Sequence, residues 1–269
     1  MASRHPFVDA SRPLVFAHRG GSALAPENTL AAFDRGLSLG ADGLELDVHL
    51  SRDGRVVVHH DASLERTTDG AGPVAARSAE ELARLDAGYR FCLDGDFRFR
   101  SRGFSVPTLA TVLARYPDAR VIIELKNGTE ALARATLADV RQARALDRVC
   151  FASEYPGGLR VIRAMEPAAA TSAARPEVRG ALVRTWIGWP LGRPAFQAFQ
   201  VPEVAGPLRV VSRRLVRAAH RAGLGVQVWT VDCAQDVRRL LEWGVDAVIS
   251  DRPDVAVAVV REWGEDRSR

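Results

Sequence analysis

Two strand-like runs carry charged residues at a spacing of two: Glu45 and Asp47 in GLELDV, and Glu124 and Lys126 in VIIELK. In a β-strand, residues i and i+2 share a face, so Glu45 and Asp47 point one way while Leu44, Leu46 and Val48 point the other. The same rule pairs Glu124 with Lys126. Three carboxylates converging on one point are costly to bury without neutralisation, and a bound cation is the natural compensation. Oxygen-only ligands favour a hard ion, so the expected cofactor is one divalent cation, Mg²⁺ or Ca²⁺. An isolated Glu-x-Asp more often marks a polar edge strand whose acids pair with arginines. A second acidic strand end favours a built site. The ammonium also stands out: of 37 Lys plus Arg residues, Lys126 is the only lysine.

Imidazoles flank this acidic set. The run LVFA (14–17) delivers His18, Arg19, Gly20 and Gly21 just past its end. A histidine there can shuttle protons near neutral pH, a guanidinium can grip a phosphate bidentately, and glycines let backbone approach a ligand closely. His60, in VVVHHD, is a second imidazole able to fold back over the same point. His59, on the opposite face by alternation, reads as packed or solvent-facing.

These residues need a frame that brings several strand ends together. Short apolar runs recur with helix-like segments between them, the pattern of a parallel α/β sheet or barrel. The expected strands are 14–17, 43–48, 121–126, 148–153, 168–173, 196–201, 225–231 and 246–250. Eight β/α units in about 250 residues fit a TIM (β/α)8 barrel, whose active sites lie at the C-terminal ends of the strands. The expected domain spans 11–262, with tails at 1–10 and 263–269. Residues 50–103 break the alternation and read as a small insertion after the second strand. It opens as a hairpin, since the turn signal DGR lies between LDVHLS and VVVHH.

Composition narrows the function classes. At 269 residues and 47% apolar content the chain can bury a large core. A net charge of +4 with arginines scattered along the chain gives no basic block, so no nucleic-acid partner is expected. Cys92, Cys150 and Cys233 show no paired spacing, which argues against a disulfide framework and for a reducing, cytoplasmic setting. No run of eighteen apolar residues occurs, so no stable membrane insertion is expected. Two tryptophans among arginines in RTWIGWPLGRP (184–194) read as a packed loop helix or as a lip that meets lipid.

Taken in order, HRG at 18–20, APENTLAAF at 25–33, GADGLELDVHLSRDG at 40–54, VVVHHDASLERTTDG at 56–70, VPTL at 106–109, IELK at 123–126 and the later VWTVD and GVDAVISDRP resemble the glycerophosphodiester phosphodiesterase family. The resemblance implies a TIM barrel with a small insertion after the second strand. It also implies hydrolysis of glycerophosphodiesters to sn-glycerol 3-phosphate and an alcohol. By the same resemblance Glu45, Asp47 and Glu124 match metal ligands, and His18 and His60 match the acid/base pair. Arg19 and Lys126 match positions near the phosphate, and Trp229 matches an aromatic wall. Glu27 is a candidate supporting residue, and Asn28 or Thr29 a candidate helix cap. Two departures stand out: Glu154 where the family commonly has an aromatic residue, and Asp232 in place of a frequent asparagine. A lysophospholipase D-type diesterase and a non-catalytic phosphodiester-binding protein are the competing readings.

Overall fold

The structure, a computed structural model, describes residues 5–266. In chain order its elements are β1 (Leu14–His18), α1 (Leu30–Ser38), β2 (Gly43–Leu50), β3 (Val56–Val58), α2 (Ala79–Ala83), α3 (Leu109–Arg115), β4 (Arg120–Leu125) and α4 (Glu130–Gln142). There follow β5 (Val149–Ala152), α5 (Pro156–Met165), β6 (Ala170–Thr171), α6 (Arg175–Ile187), β7 (Ala198–Pro202), β8 (Val204–Ala205) and β9 (Leu208–Arg209). The chain ends with α7 (Arg213–Arg221), β10 (Gly225–Trp229), α8 (Ala234–Trp243), β11 (Ala247–Ser250) and α9 (Pro253–Asp266).

Eight of these strands run parallel in the order β6, β5, β4, β2, β1, β11, β10, β7. A single parallel bridge, Ser172 to Ala198, joins the two ends of that order and makes the sheet a nearly closed barrel. This is the expected TIM-barrel architecture. Alternation sorts each strand's residues. Leu44, Leu46, Val48, Val121, Ile123 and Leu125 face outward into the layer shared with the helices. Phe16, Ile122, Cys150, Ala170, Ala198 and Ile249 fill the interior. Phe7 and Val8 join that inner cluster, with Phe7 stacked on Phe16 at 5.8 Å. Residues 5–8, expected in a tail, therefore plug the barrel floor, while 1–4 and 267–269 lie outside the described residues.

After β2 the chain turns back through Gly54, whose φ of +75° suits the tight turn, and β3 pairs antiparallel with β2. The rest of the insertion builds a satellite core of Val57, Leu64, Val74, Leu82, Ala87 and Val106. Three features differ from the sequence expectation. The run AAATSA yields only the two-residue β6, a second small hairpin (β8 and β9) follows β7, and α6 occupies 175–187 where no complete helix was expected.

Candidate active site

Strand register assembles the predicted residues. Across the β1–β2 ladder His18 lies level with Glu45, and across β2–β4 Asp47 lies level with Glu124. Because the apolar alternates are held in the outer layer, these polar side chains must point inward at the C-terminal rim. Glu45, Asp47 and Glu124 each offer an oxygen within 4.8 Å of the others. His18, Arg19, Glu45, His60, Glu124, Lys126 and Trp229 all line one cavity of about 600 Å³ at this rim. Asp47 lies beneath it, almost fully buried.

Cations answer the acids only in part. Lys126 Nζ stands 3.3 Å from Asp47 Oδ1 and 3.4 Å from Glu124 Oε1. Arg19, in the left-handed region at φ +51°, places Nε 3.3 Å from Asp47 Oδ2 and donates from Nη1 to Glu27 Oε1 at 3.0 Å. Its backbone N–H donates to Glu45 Oε2 at 3.1 Å. Asn28 Nδ2 donates to Asp47 Oδ2 at 2.8 Å, whereas Thr29 caps α1 by accepting from Ala32 N–H. The cap expected from Asn28 or Thr29 is thus Thr29, and Asn28 serves the site.

The titration of the three acids reports what is left unneutralised. Burial, with Asp47 and Glu124 adding repulsion, pushes the Glu45 carboxyl up to about 8. Burial and Asp47 also raise Glu124. For Asp47 burial acts upward too, but Lys126 and Arg19 outweigh it and hold the group below the usual carboxylate range. Asp47 Oδ1 accepts no hydrogen bond. Three clustered oxygen donors, two of them destabilised as anions and one with an oxygen met only by the Lys126 ammonium, fit a hard divalent cation.

Each rim histidine is held by an aspartate that sequence reasoning missed. His18 Nδ1 is 2.6 Å from Asp251 Oδ1, and His60 Nδ1 is 2.5 Å from Asp61 Oδ1. Both rings therefore keep Nε2 available, and His18 Nε2 lies 3.8 Å from Glu45 Oε2. Burial lowers the affinity of both imidazoles for a proton. Glu45 and Asp251 reverse that for His18, which ends raised, whereas Asp47 and Asp61 only partly offset it for His60, which ends lowered. Asp251 also accepts from Ser22 Oγ, and its own N–H donates to Asp232 Oδ1 at 2.7 Å. Asp232 thus acts as an acceptor that pins the loop after β11, a task an asparagine oxygen could also perform.

Arg66, also unforeseen, forms bidentate contacts to Glu27 at 2.7 and 2.8 Å and reaches Asp61 at 2.6 Å. It ties the Arg19 anchor to the His60 anchor. His59 points away and its Nε2 meets Ser63 O at 3.0 Å, the packed reading. Glu154, at the aromatic position, instead pairs with Arg175 at 2.6 Å on the cavity wall. The available signals for the missed partners were slight: an acid directly after His60, and another at the end of the last strand.

A (β/α)8 barrel with a charged, acid-rich cavity at the C-terminal ends of its strands defines the class, a TIM-barrel enzyme. Comparison with known proteins narrows it. A profile of the Glycerophosphoryl diester phosphodiesterase family matches residues 18–255. A glycerophosphodiester phosphodiesterase of Caldanaerobacter subterraneus subsp. tengcongensis is 34% identical over 94% of this chain and 100% of its own length. A solved glycerophosphodiester phosphodiesterase from Agrobacterium tumefaciens is 30% identical with a TM-score of 0.74, covering 91% of this chain and 99% of that one. An Oleispira antarctica phosphodiesterase, solved with the product sn-glycerol-3-phosphate, is 27% identical with a TM-score of 0.75, covering 93% and 97%. The chain belongs to the glycerophosphoryl diester phosphodiesterase family.

Proposed function

We propose that the protein hydrolyses glycerophosphodiesters to sn-glycerol 3-phosphate and an alcohol, using His18 and His60 as acid and base and one divalent cation, Mg²⁺ or Ca²⁺. The observation that carries this reading is the pair of imidazoles, each fixed through Nδ1 by its own aspartate beside three clustered carboxylates. Glu45, Asp47 and Glu124 would hold the cation. When bound, it would neutralise charge on the non-bridging phosphate oxygens.

The chain's own residues do the rest. Arg19, oriented by Glu27, and Lys126, beside Glu124, offer N–H donors to the phosphate. One imidazole accepts the proton of the attacking oxygen, which belongs to water or to the substrate's own glycerol hydroxyl; in the second case a cyclic phosphate forms first and water then opens it to sn-glycerol 3-phosphate. The other gives a proton to the alkoxide as the phosphorus–oxygen bond to the alcohol breaks. Trp229, a third exposed at the end of β10, forms a wall against the glycerol or the alcohol.

A second reading follows from the cavity's other arm. Beyond the charged rim it is lined by Val178 and Leu182 of α6, by Ala205 and Leu208 of the β8–β9 hairpin, and by Val210. Such walls suit an alcohol with an apolar part, so a lysophospholipase D-type reaction is the natural extension of the same chemistry. A binder without catalysis would need no oriented imidazole pair. The three cysteines are free, which supports the cytoplasmic setting we infer.

The test is release of sn-glycerol 3-phosphate from glycerophosphocholine and glycerophosphoethanolamine, and of choline from lysophosphatidylcholine, in EDTA and after Mg²⁺ or Ca²⁺ is restored. Metal-dependent turnover of the glycerophosphodiesters is expected. Turnover that survives exhaustive chelation would remove the cation from the reading, and tight binding with no product would replace the enzyme by a binder.

A further inference from the structure

We propose that the outward face of α6 and the turn after it form a docking surface for an anionic lipid bilayer. Val183, Trp186 and Ile187 lie three and four residues apart on this helix, and their exposures are 52, 53 and 59%. Trp189, just past the Gly188 cap, is 64% exposed. A helix that already buries Ala181, Leu182 and Thr185 against the protein thus shows a second apolar face to solvent. A contiguous exposed patch of this kind marks an interaction site more often than chance exposure.

Its position relates it to the cavity. Arg179 and Leu182 line the cavity, and Val183 and Trp186 lie one helical turn further on, at i+4 from each. The patch therefore continues a cavity-lining strip. A Cβ at Gly188 would lie 3.6 Å from the Arg214 guanidinium, so that side chain reaches the end of α6.

Charge selects the partner. Between Val178 and Val231 the sequence carries eight arginines and one acid, Glu203, and that acid is taken by Arg239 and Arg209. The rest of the chain has 29 basic against 32 acidic residues, so the excess positive charge resides in this stretch. Arg179, Arg184, Arg193 and Arg214 are exposed on or beside the patch. Tryptophan prefers the headgroup region of a bilayer, aliphatic side chains enter its acyl boundary, and each arginine near an anionic leaflet adds to the attraction. A second copy of this chain is a poorer partner, since a two-fold contact would bring arginines against arginines with no acid between Val178 and Pro202 to meet them. A nucleic acid would satisfy the arginines but leave Val183 and Ile187 against a polyanion. Among the described residues no helix is long and apolar enough to cross a membrane, so the helix lies on the surface.

The experiment is co-flotation with vesicles of equal parts phosphatidylglycerol and phosphatidylcholine, against phosphatidylcholine alone. It reads binding independently of catalysis. The full chain is expected to float with the anionic vesicles and to be released by high salt. Trp186→Ser with Trp189→Ser should weaken this by about tenfold or more, and Arg184→Gln with Arg193→Gln should weaken it at unchanged melting temperature, both variants hydrolysing soluble glycerophosphocholine as before. The proposal is overturned if the wild type does not bind anionic vesicles above phosphatidylcholine, or if neither variant changes binding. It is also overturned if the tryptophan variant instead abolishes a concentration-dependent dimer or binding to a homopolymeric RNA.

Discussion

Each rim imidazole has one nitrogen committed to an aspartate, which fixes the ring and leaves Nε2 for the proposed proton transfer. His18→Ala and His60→Ala should each lower kcat by about 10²–10⁴-fold while leaving the circular-dichroism spectrum unchanged. Wild-type kinetics in either variant would end that residue's part in proton transfer. Lys126 makes a different point. Its single Nζ stands between an oxygen of Asp47 and one of Glu124 and still has N–H bonds to offer. An arginine fork is longer and planar and cannot occupy that point without displacing one partner. Lys126→Arg is therefore expected to reduce kcat/KM by roughly 10–100-fold, the usual cost of a misplaced contact. Undiminished kcat/KM would show that a point charge is not needed there.

At the scale of elements, legibility followed how sharply each segment alternates. The runs GLELDV and VIIELK keep every charged residue on one face and leave the other face wholly apolar, so β2 and β4 and the inward direction of Glu45, Asp47 and Glu124 could be read directly. α6 could not, because its apolar residues occupy both faces and no single stripe remains to reveal a helix. Asp61, Asp251 and Arg66 lie in loops, where no period says which way a side chain points. The β8–β9 hairpin was equally hidden, yet it carries the cavity-lining Ala205 and Leu208. What fastens it is Glu203, which takes bidentate bonds from Arg239 of α8 at 2.6 and 2.8 Å and one from Arg209 at 3.0 Å. Those bonds, from Arg239 first, outweigh partial burial and hold the Glu203 carboxyl below its ordinary 4.5. A depressed carboxyl adds stability above that ordinary value and loses it as pH falls through the lower folded value. Glu203→Gln should thus cost about 1 kcal/mol or less at pH 7, and the difference in melting temperature from wild type should shrink towards zero as the pH is lowered below 4.5. A difference that stays constant across that range would assign the effect to packing.

The whole molecule is a ring with its floor filled and its rim electrically loaded. Phe7 stacked on Phe16 and the small alanines of β6, β7 and β11 close the lower interior, while one bridge between Ser172 and Ala198 completes the sheet. At the upper end, neighbouring strands β2 and β4 hold three carboxylates within 4.8 Å, and burial prevents water from screening their repulsion. The ring thus stores at its rim a cost that a divalent cation would relieve, and that relief is measurable without any substrate. A ligand at a hundred times its Kd adds about 2.7 kcal/mol to the folded state. For a chain of this size that is about 5–10 °C in melting temperature, measured between EDTA and saturating Mg²⁺ or Ca²⁺. Glu45→Gln separates this from a general salt effect. Removing one buried carboxylate lessens the repulsion, so the metal-free variant should melt no lower than wild type, yet its rise on adding the ion should largely vanish. An equal rise in both proteins would place the ion elsewhere, and no rise in the wild type would mean that Lys126 and Arg19 already neutralise the rim on their own.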